Sequence, residues 1–178
     1  MSLSADLTIT VDTAGIADVP ALSLLSTACL VNNKAHIAPP EVLVRYIEQE
    51  HSPRYFAERL AGRRCLIRVA RLGSGGLVGY MMIDPAALIV TEDALELEVK
   101  RLHVLPGYRG LRVGARLFDF AYGDARTLGA RRIIIGCEPD DHHNRTLYER
   151  RGFVLAGERV VTISTINYTE VLYARALD

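Results

Sequence analysis

The feature that most constrains this chain is a strand whose alternation slips, followed at once by a glycine-containing turn into a helix. Leu95, Leu97 and Val99 share one face by period-two alternation, but the pattern resumes at Leu102 and Val104, one residue out of phase. A β-bulge near Lys100 and Arg101 would restore the facing, and a slightly earlier strand end is the alternative. A bulge bends its strand and interrupts the ladder, so backbone groups become free to pair with something other than protein. Pro106, Gly107, Tyr108, Arg109, Gly110, Leu111, Arg112, Val113 and Gly114 follow directly. A helix then opens, with Val113, Leu117, Phe120, Ala121 and Leu128 on one stripe and Gly129 as its stop. Such a turn presents unpaired amides and the positive end of a helix dipole, which suits an anion such as pyrophosphate. Arg109 and Arg112 add formal charge there. Read alone, the loop fits an ordinary strand-to-helix turn with surface arginines equally well. Neither GxGxxG after an early strand nor GxxxxGK followed by Ser or Thr is present, which disfavours NAD-dependent and kinase-like readings.

The rest of the chain supplies a framework for this unit. Leu7 to Val11 reads as a strand, and Asp18 with Pro20 begins a helix to about Leu30. After Pro39 and Pro40, the residues Val42, Val44, Tyr46 and Ile47 mark a second helix ending at His51; Ser52 and Pro53 restart a turn of helix to Leu60. Arg64 to Ala70 and Leu77 to Ile83 form a hairpin around the turn Gly73 to Gly76. From Leu95 the order becomes strand, helix, strand, helix, strand, with Arg132 to Cys137 as an apolar strand, so parallel pairing is expected. At 178 residues the chain makes one domain, spanning 1–178, with enough core to fold without disulfides or a structural metal. Lys plus Arg number 21 and Asp plus Glu 21, which offers no bulk attraction to nucleic acid or to an anionic membrane. No run of apolar residues is long enough to span a bilayer. The N-terminal residues lack the layout of a signal peptide, and Cys29, Cys65 and Cys137 show no paired spacing. A cytoplasmic setting with reduced thiols is the expectation.

Residues 102–153 carry a resemblance to a family. The run Leu102, Val104, Pro106, Tyr108, Arg109, Gly110, Val113, Gly114, Leu117 resembles the cofactor-binding motif of GNAT acetyltransferases. Asn144, Leu147, Tyr148, Glu149, Gly152 and Phe153 are similar to that family's second signature. Arg112 departs from the pattern, standing where the family usually has the first glycine of a pair. The resemblance implies an α/β fold of the α+β mixed-sheet kind: six to seven strands, a bulged and splayed fourth strand, and about four flanking helices. It implies acetyl-coenzyme A as cosubstrate and no metal. Backbone amides of Gly110, Leu111, Arg112, Val113 and Gly114 would hold the pyrophosphate, with Arg109 and Arg112 meeting phosphate oxygens. Leu102, His103 and Val104 would pair with the pantetheine arm, and a backbone amide near His103 or Val104 would polarise the thioester carbonyl. Asn144 would contact the pantetheine through its side chain.

Transfer of an acetyl group to an amine needs a path for the amine's proton and a hydrogen bond for the leaving thiolate. Glu98 lies on the opposite face from Leu97 and Val99, just ahead of the slip, and matches the family's usual base; Glu96 is its same-face neighbour. Tyr148, one turn beyond Asn144, matches the general acid. A solvent-facing carboxylate and a packing tyrosine are the ordinary alternatives. Cys137 ends a strand buried on both faces and reads as a packed thiol. Cys137, Asp140, Asp141, His142 and His143 lack a recognised metal spacing, and the two aspartates read as an acidic helix start. Glu41, Glu48, Glu50 and His51 give the second helix an acidic flavour suited to a cationic acceptor such as a polyamine. A small-molecule amine is the expected partner. A peptide or protein amine, or a silent coenzyme A-binding module, are the alternatives, and a homodimer is expected by resemblance.

Overall fold

Seven strands and five α-helices order themselves around the slipped strand in a computed structural model that describes residues 8–62, 65–85, 96–163 and 166–177. Leu7, Arg64 and Leu95, the expected first residues of three strands, lie outside the described residues. The order is β1 (Ile9–Thr13), α1 (Val19–Lys34), α2 (Pro40–Glu50), α3 (Pro53–Ala61), β2 (Leu66–Leu72), β3 (Leu77–Pro85) and β4 (Glu96–Val104). It continues with α4 (Val113–Thr127), β5 (Arg132–Cys137), α5 (His142–Arg150), β6 (Val154–Ile163) and β7 (Ile166–Ala176). α2 and α3 are separate helices because Ser52 breaks the first and caps the second, its side chain accepting from the Tyr55 amide at 3.3 Å.

The strands form one sheet in the order β1-β2-β3-β4-β5-β7-β6. Only β4 and β5 pair in parallel, with α4 as their crossover; every other described neighbour is antiparallel. The expectation of successive parallel crossovers is corrected at α5, which leads to the edge strand β6, because the β6–β7 hairpin places β7 beside β5.

The two sheet faces bury different sets of residues, as alternation requires. Met81, Ile83, Leu97, Val99, Ile133 and Ile135 pack with Leu117, Phe118 and Ala121 of α4 and with Tyr148 of α5. Ile67, Val69, Tyr80 and Met82 point the other way, against Leu22, Leu25 and Cys29 of α1 and Tyr55 and Phe56 of α3. Leu117 is completely buried, so Leu117→Ala removes about 2–5 kcal/mol of stability. Gly79 brings α4 onto β3: a Cβ there would lie 3.0 Å from the His103 carbonyl oxygen and 3.2 Å from Val113. The helical stretch Ile16–Lys34 is long and apolar enough to cross a membrane by composition. Here Leu22, Leu25 and Cys29 place it as a core helix on the sheet.

Candidate active site

The slip in alternation is a bulge. Met82 pairs with Arg101 while Ile83 pairs with Val99, which leaves Lys100 as the extra, exposed residue. Parallel pairing of β4 with β5 runs from Glu96↔Arg132 to Val99↔Ile135 and stops there, although β4 continues to Val104 and β5 to Cys137. The two strands therefore part at the bulge. Beyond that vertex the β5-facing edge of β4, including Leu102, His103 and Val104, has no strand partner among the described residues.

The turn after β4 completes the cleft. Among the described residues, the amides of Gly110, Leu111 and Arg112 make no backbone hydrogen bond. Val113 and Gly114 open α4, where first-turn amides lack an intrahelical acceptor. Gly110 has φ +82°, and Arg112 has φ 60° and ψ 14°, the left-handed conformation that glycine adopts without strain. Arginine at this position thus keeps the turn while carrying about 1–2 kcal/mol of backbone strain. The Arg109 side chain folds back, donating from Nε to the Val104 carbonyl oxygen and from Nη2 to Asn33 Oδ1, each at 3.3 Å. A row of unpaired amides at a helix N-terminus, next to an unpaired strand edge, fits the pyrophosphate and the amide-bearing arm of coenzyme A.

Tyr148 and Asn144 stand on the α4 side of the sheet. Tyr148 is 5% exposed and lies among the rings of Phe118, Phe153 and Tyr173, at centroid distances of 6.3, 6.1 and 5.8 Å. Burial raises its hydroxyl above the ordinary value of 10.0, so at neutral pH it is a proton donor. Asp141 caps α5, accepting from the Asn144 amide at 3.0 Å and from its Nδ2 at 2.6 Å. Among the described residues, none donates to the side-chain carbonyl oxygen of Asn144. Burial pushes the Cys137 thiol up to about 11, as a packed thiol requires.

The opposite face is charged. Glu98 is 2% exposed, and Arg159 of β6 donates to both its oxygens, from Nη2 to Oε1 at 2.5 Å and from Nη1 to Oε2 at 3.2 Å. The same guanidinium donates from Nε to Glu170 Oε2 at 2.7 Å. Glu96 points to Arg132, Oε1 to Nε at 2.8 Å. Arg101 is buried over the Tyr55 ring at 4.9 Å and donates to Glu50 Oε2 at 2.8 Å. His103 stacks on Tyr80 at 5.5 Å; burial, with Arg101 beside it, holds its pKa down at about 4. Lys34, at the end of α1, forms an ion pair with Glu138 just beyond β5 and lies 5.6 Å over the Tyr168 ring.

The expected acidic face of α2 is not gathered at this cleft. Glu41 and Glu48 are exposed, Glu50 is tied to Arg101, and His51 is buried, its pKa pushed down to about 3. Arg159 and Glu170 were not singled out from sequence, although they face each other in the β6–β7 register. Opposite charges on two strands adjacent in sequence were the available signal.

A profile of the acetyltransferase (GNAT) family matches residues 33–153. Uncharacterized N-acetyltransferases of Mycobacterium bovis and Mycobacterium tuberculosis are 28% identical over 138 residues, covering 78% of this chain and 84% of theirs. PaiA N-acetyltransferase from Thermoplasma acidophilum, solved with coenzyme A, superposes with a TM-score of 0.74 at 16% identity, covering 96% of this chain and 99% of that one. Ribosomal-protein-alanine N-acetyltransferase from Brucella melitensis gives 0.71 at 22% identity, covering 94% and 99%. Both structures share the fold described above. The profile spans most of the chain, including the bulged strand, the turn and α5, and the chain therefore belongs to the acetyltransferase (GNAT) family of acetyl-coenzyme A-dependent N-acetyltransferases.

Proposed function

We propose that this enzyme acetylates a small-molecule amine, a polyamine being one candidate, by direct attack at the vertex where β4 and β5 part. The observation that carries this reading is how the cleft is enclosed. Lys34 ties the end of α1 to Glu138 after β5, and Arg109 ties Asn33 to the turn after β4, so α1 straps across both margins. A peptide would need an open groove; a small amine needs only the vertex.

Acetyl-coenzyme A supplies the acyl group as a thioester. The chain's own residues supply the rest. Gly110 to Gly114 hold the diphosphate through their amides, and Leu102 to Val104 hold the arm through the unpaired edge of β4. An amide near His103 or Val104 faces the carbonyl oxygen. Glu98, with the Arg159-linked row that ends at Glu170, lies on the side from which the amine arrives and provides the route for its proton. Tyr148, on the opposite face, donates to the departing sulfur. Because Arg159 engages both oxygens of Glu98, neither of them is free to take the amine's proton directly.

The test is release of coenzyme A at mildly alkaline pH across polyamines, amino acids, aminoglycosides and short peptides. Turnover on one small-amine class, with peptides inert, is expected. Faster turnover on peptides would assign a protein substrate instead, and silence across the panel with coenzyme A still bound would make the chain a binding module. We also propose a homodimer through the edge strand β6, which exposes Val154, Leu155 and Val160 at 67, 60 and 65%. Light scattering at the monomer mass would refute it.

A further inference from the structure

The carboxylate most open to an acceptor at the vertex is on β7, not on β4. Glu98 has 3% side-chain exposure and gives both oxygens to Arg159, whereas Glu170 keeps 28% of its side chain exposed and gives Arg159 only Oε2. Among the described residues, none donates to Glu170 Oε1. Gly136 accounts for where this carboxylate rests. It is the first β5 residue past the last β4 pair, Val99↔Ile135, and a Cβ there would lie 2.9 Å from Glu170 Oε2. The carboxylate thus sits on bare backbone at the point where the strands separate. Two carboxylates share one guanidinium, which leaves the row one net negative charge for an incoming ammonium. Lys34 of α1, Tyr46 of α2, Cys137 of β5 and Tyr148 of α5 are ionisable groups within electrostatic reach of Glu170.

We propose that Glu170 is the catalytic base: its Oε1 meets the acceptor nitrogen and takes its proton, while Glu98 is a positioning residue that acts by fixing Arg159. This rests on the reading that the chain acetylates a small amine. The amine nitrogen forms its bond to the thioester carbonyl carbon, the C–S bond breaks, and its electron pair leaves with sulfur. An acceptor that arrives as an ammonium gives one proton through Glu170 to solvent before it attacks and a second by the same route afterwards, while the Tyr148 hydroxyl hydrogen-bonds the thiolate.

The experiment compares Glu170→Gln, Glu170→Asp, Gly136→Ala and Glu98→Gln with the parent chain on the amine panel, with acetyl-coenzyme A affinity measured by calorimetry. Glu170→Gln should lose about 100-fold in kcat and the carboxylate limb of its pH profile, with cofactor affinity unchanged. Gly136→Ala displaces the carboxylate and should lower kcat in the same direction; Glu170→Asp should recover part of the rate. Glu98→Gln should keep the limb and lose less. Parent turnover with Glu170→Gln unimpaired, or with the limb lost in Glu98→Gln instead, overturns this assignment alone. No parent turnover on any amine overturns it together with the reading on which it rests.

Discussion

The two faces of the sheet solve opposite problems at the same gap. On the α4 face, Phe118, Tyr122, Tyr148, Phe153 and Tyr173 interlock, and the buried Asp124 is answered by Arg68 at 2.5 and 2.8 Å. On the α1 face, Glu98, Arg101 and His51 are polar or charged side chains buried on the side from which the proposed acceptor would arrive. Apolar packing holds the turn and Tyr148 by shape, so that side can be rigid and generic. Ionic packing on the other side is costly to assemble and sensitive to each partner, which suits the half of the site that selects a substrate.

Breaking the ionic side should have the largest effect. Arg159→Met strands the buried Glu98 carboxylate, and denaturant unfolding should show a loss of about 3–5 kcal/mol. Tyr148→Phe tests the apolar side for chemistry rather than packing: kcat should fall about 100-fold in a coenzyme A release assay while the unfolding midpoint stays put. Acid should separate the faces next. Burial, with Arg101 nearby, holds His51 at about 3 and His103 at about 4, below the ordinary 6.5. The unfolded chain therefore binds protons that the folded chain refuses. Their contribution to stability is complete above about pH 6.5 and is lost progressively as pH falls toward about 4 for His103 and about 3 for His51, and His51→Gln should flatten part of that slope in a series of thermal melts. The smallest effect belongs to Arg112→Gly, which relieves the left-handed backbone and should raise stability by about 0.5–1 kcal/mol, read as a shift in denaturation midpoint.

What was legible in the sequence follows the same division. The slip between Val99 and Leu102 located the bulge because alternation is a local property, and the apolar stripe from Val113 located α4 for the same reason. The facing of Glu98 was legible because its neighbours Leu97 and Val99 fix which way it points. Its partner was not: Arg159 lies 61 residues away, and only the order β5-β7-β6 brings it over Glu98. Glu50 shows the converse error. Its helix reads as acidic in sequence, yet Arg101, brought to that face by the bulge, takes up its charge. Patterns with a period are readable along the chain, whereas pairings between distant strands appear only once the topology is known.

If the gap opened by the bulge holds the cofactor arm between these two faces, hydrogen exchange with and without coenzyme A will register it. New protection should appear at the amides of Arg101 to Val104 and Gly110 to Gly114, with β6 and β7 little changed. Protection that leaves both segments untouched while another part of the sheet is slowed would contradict it.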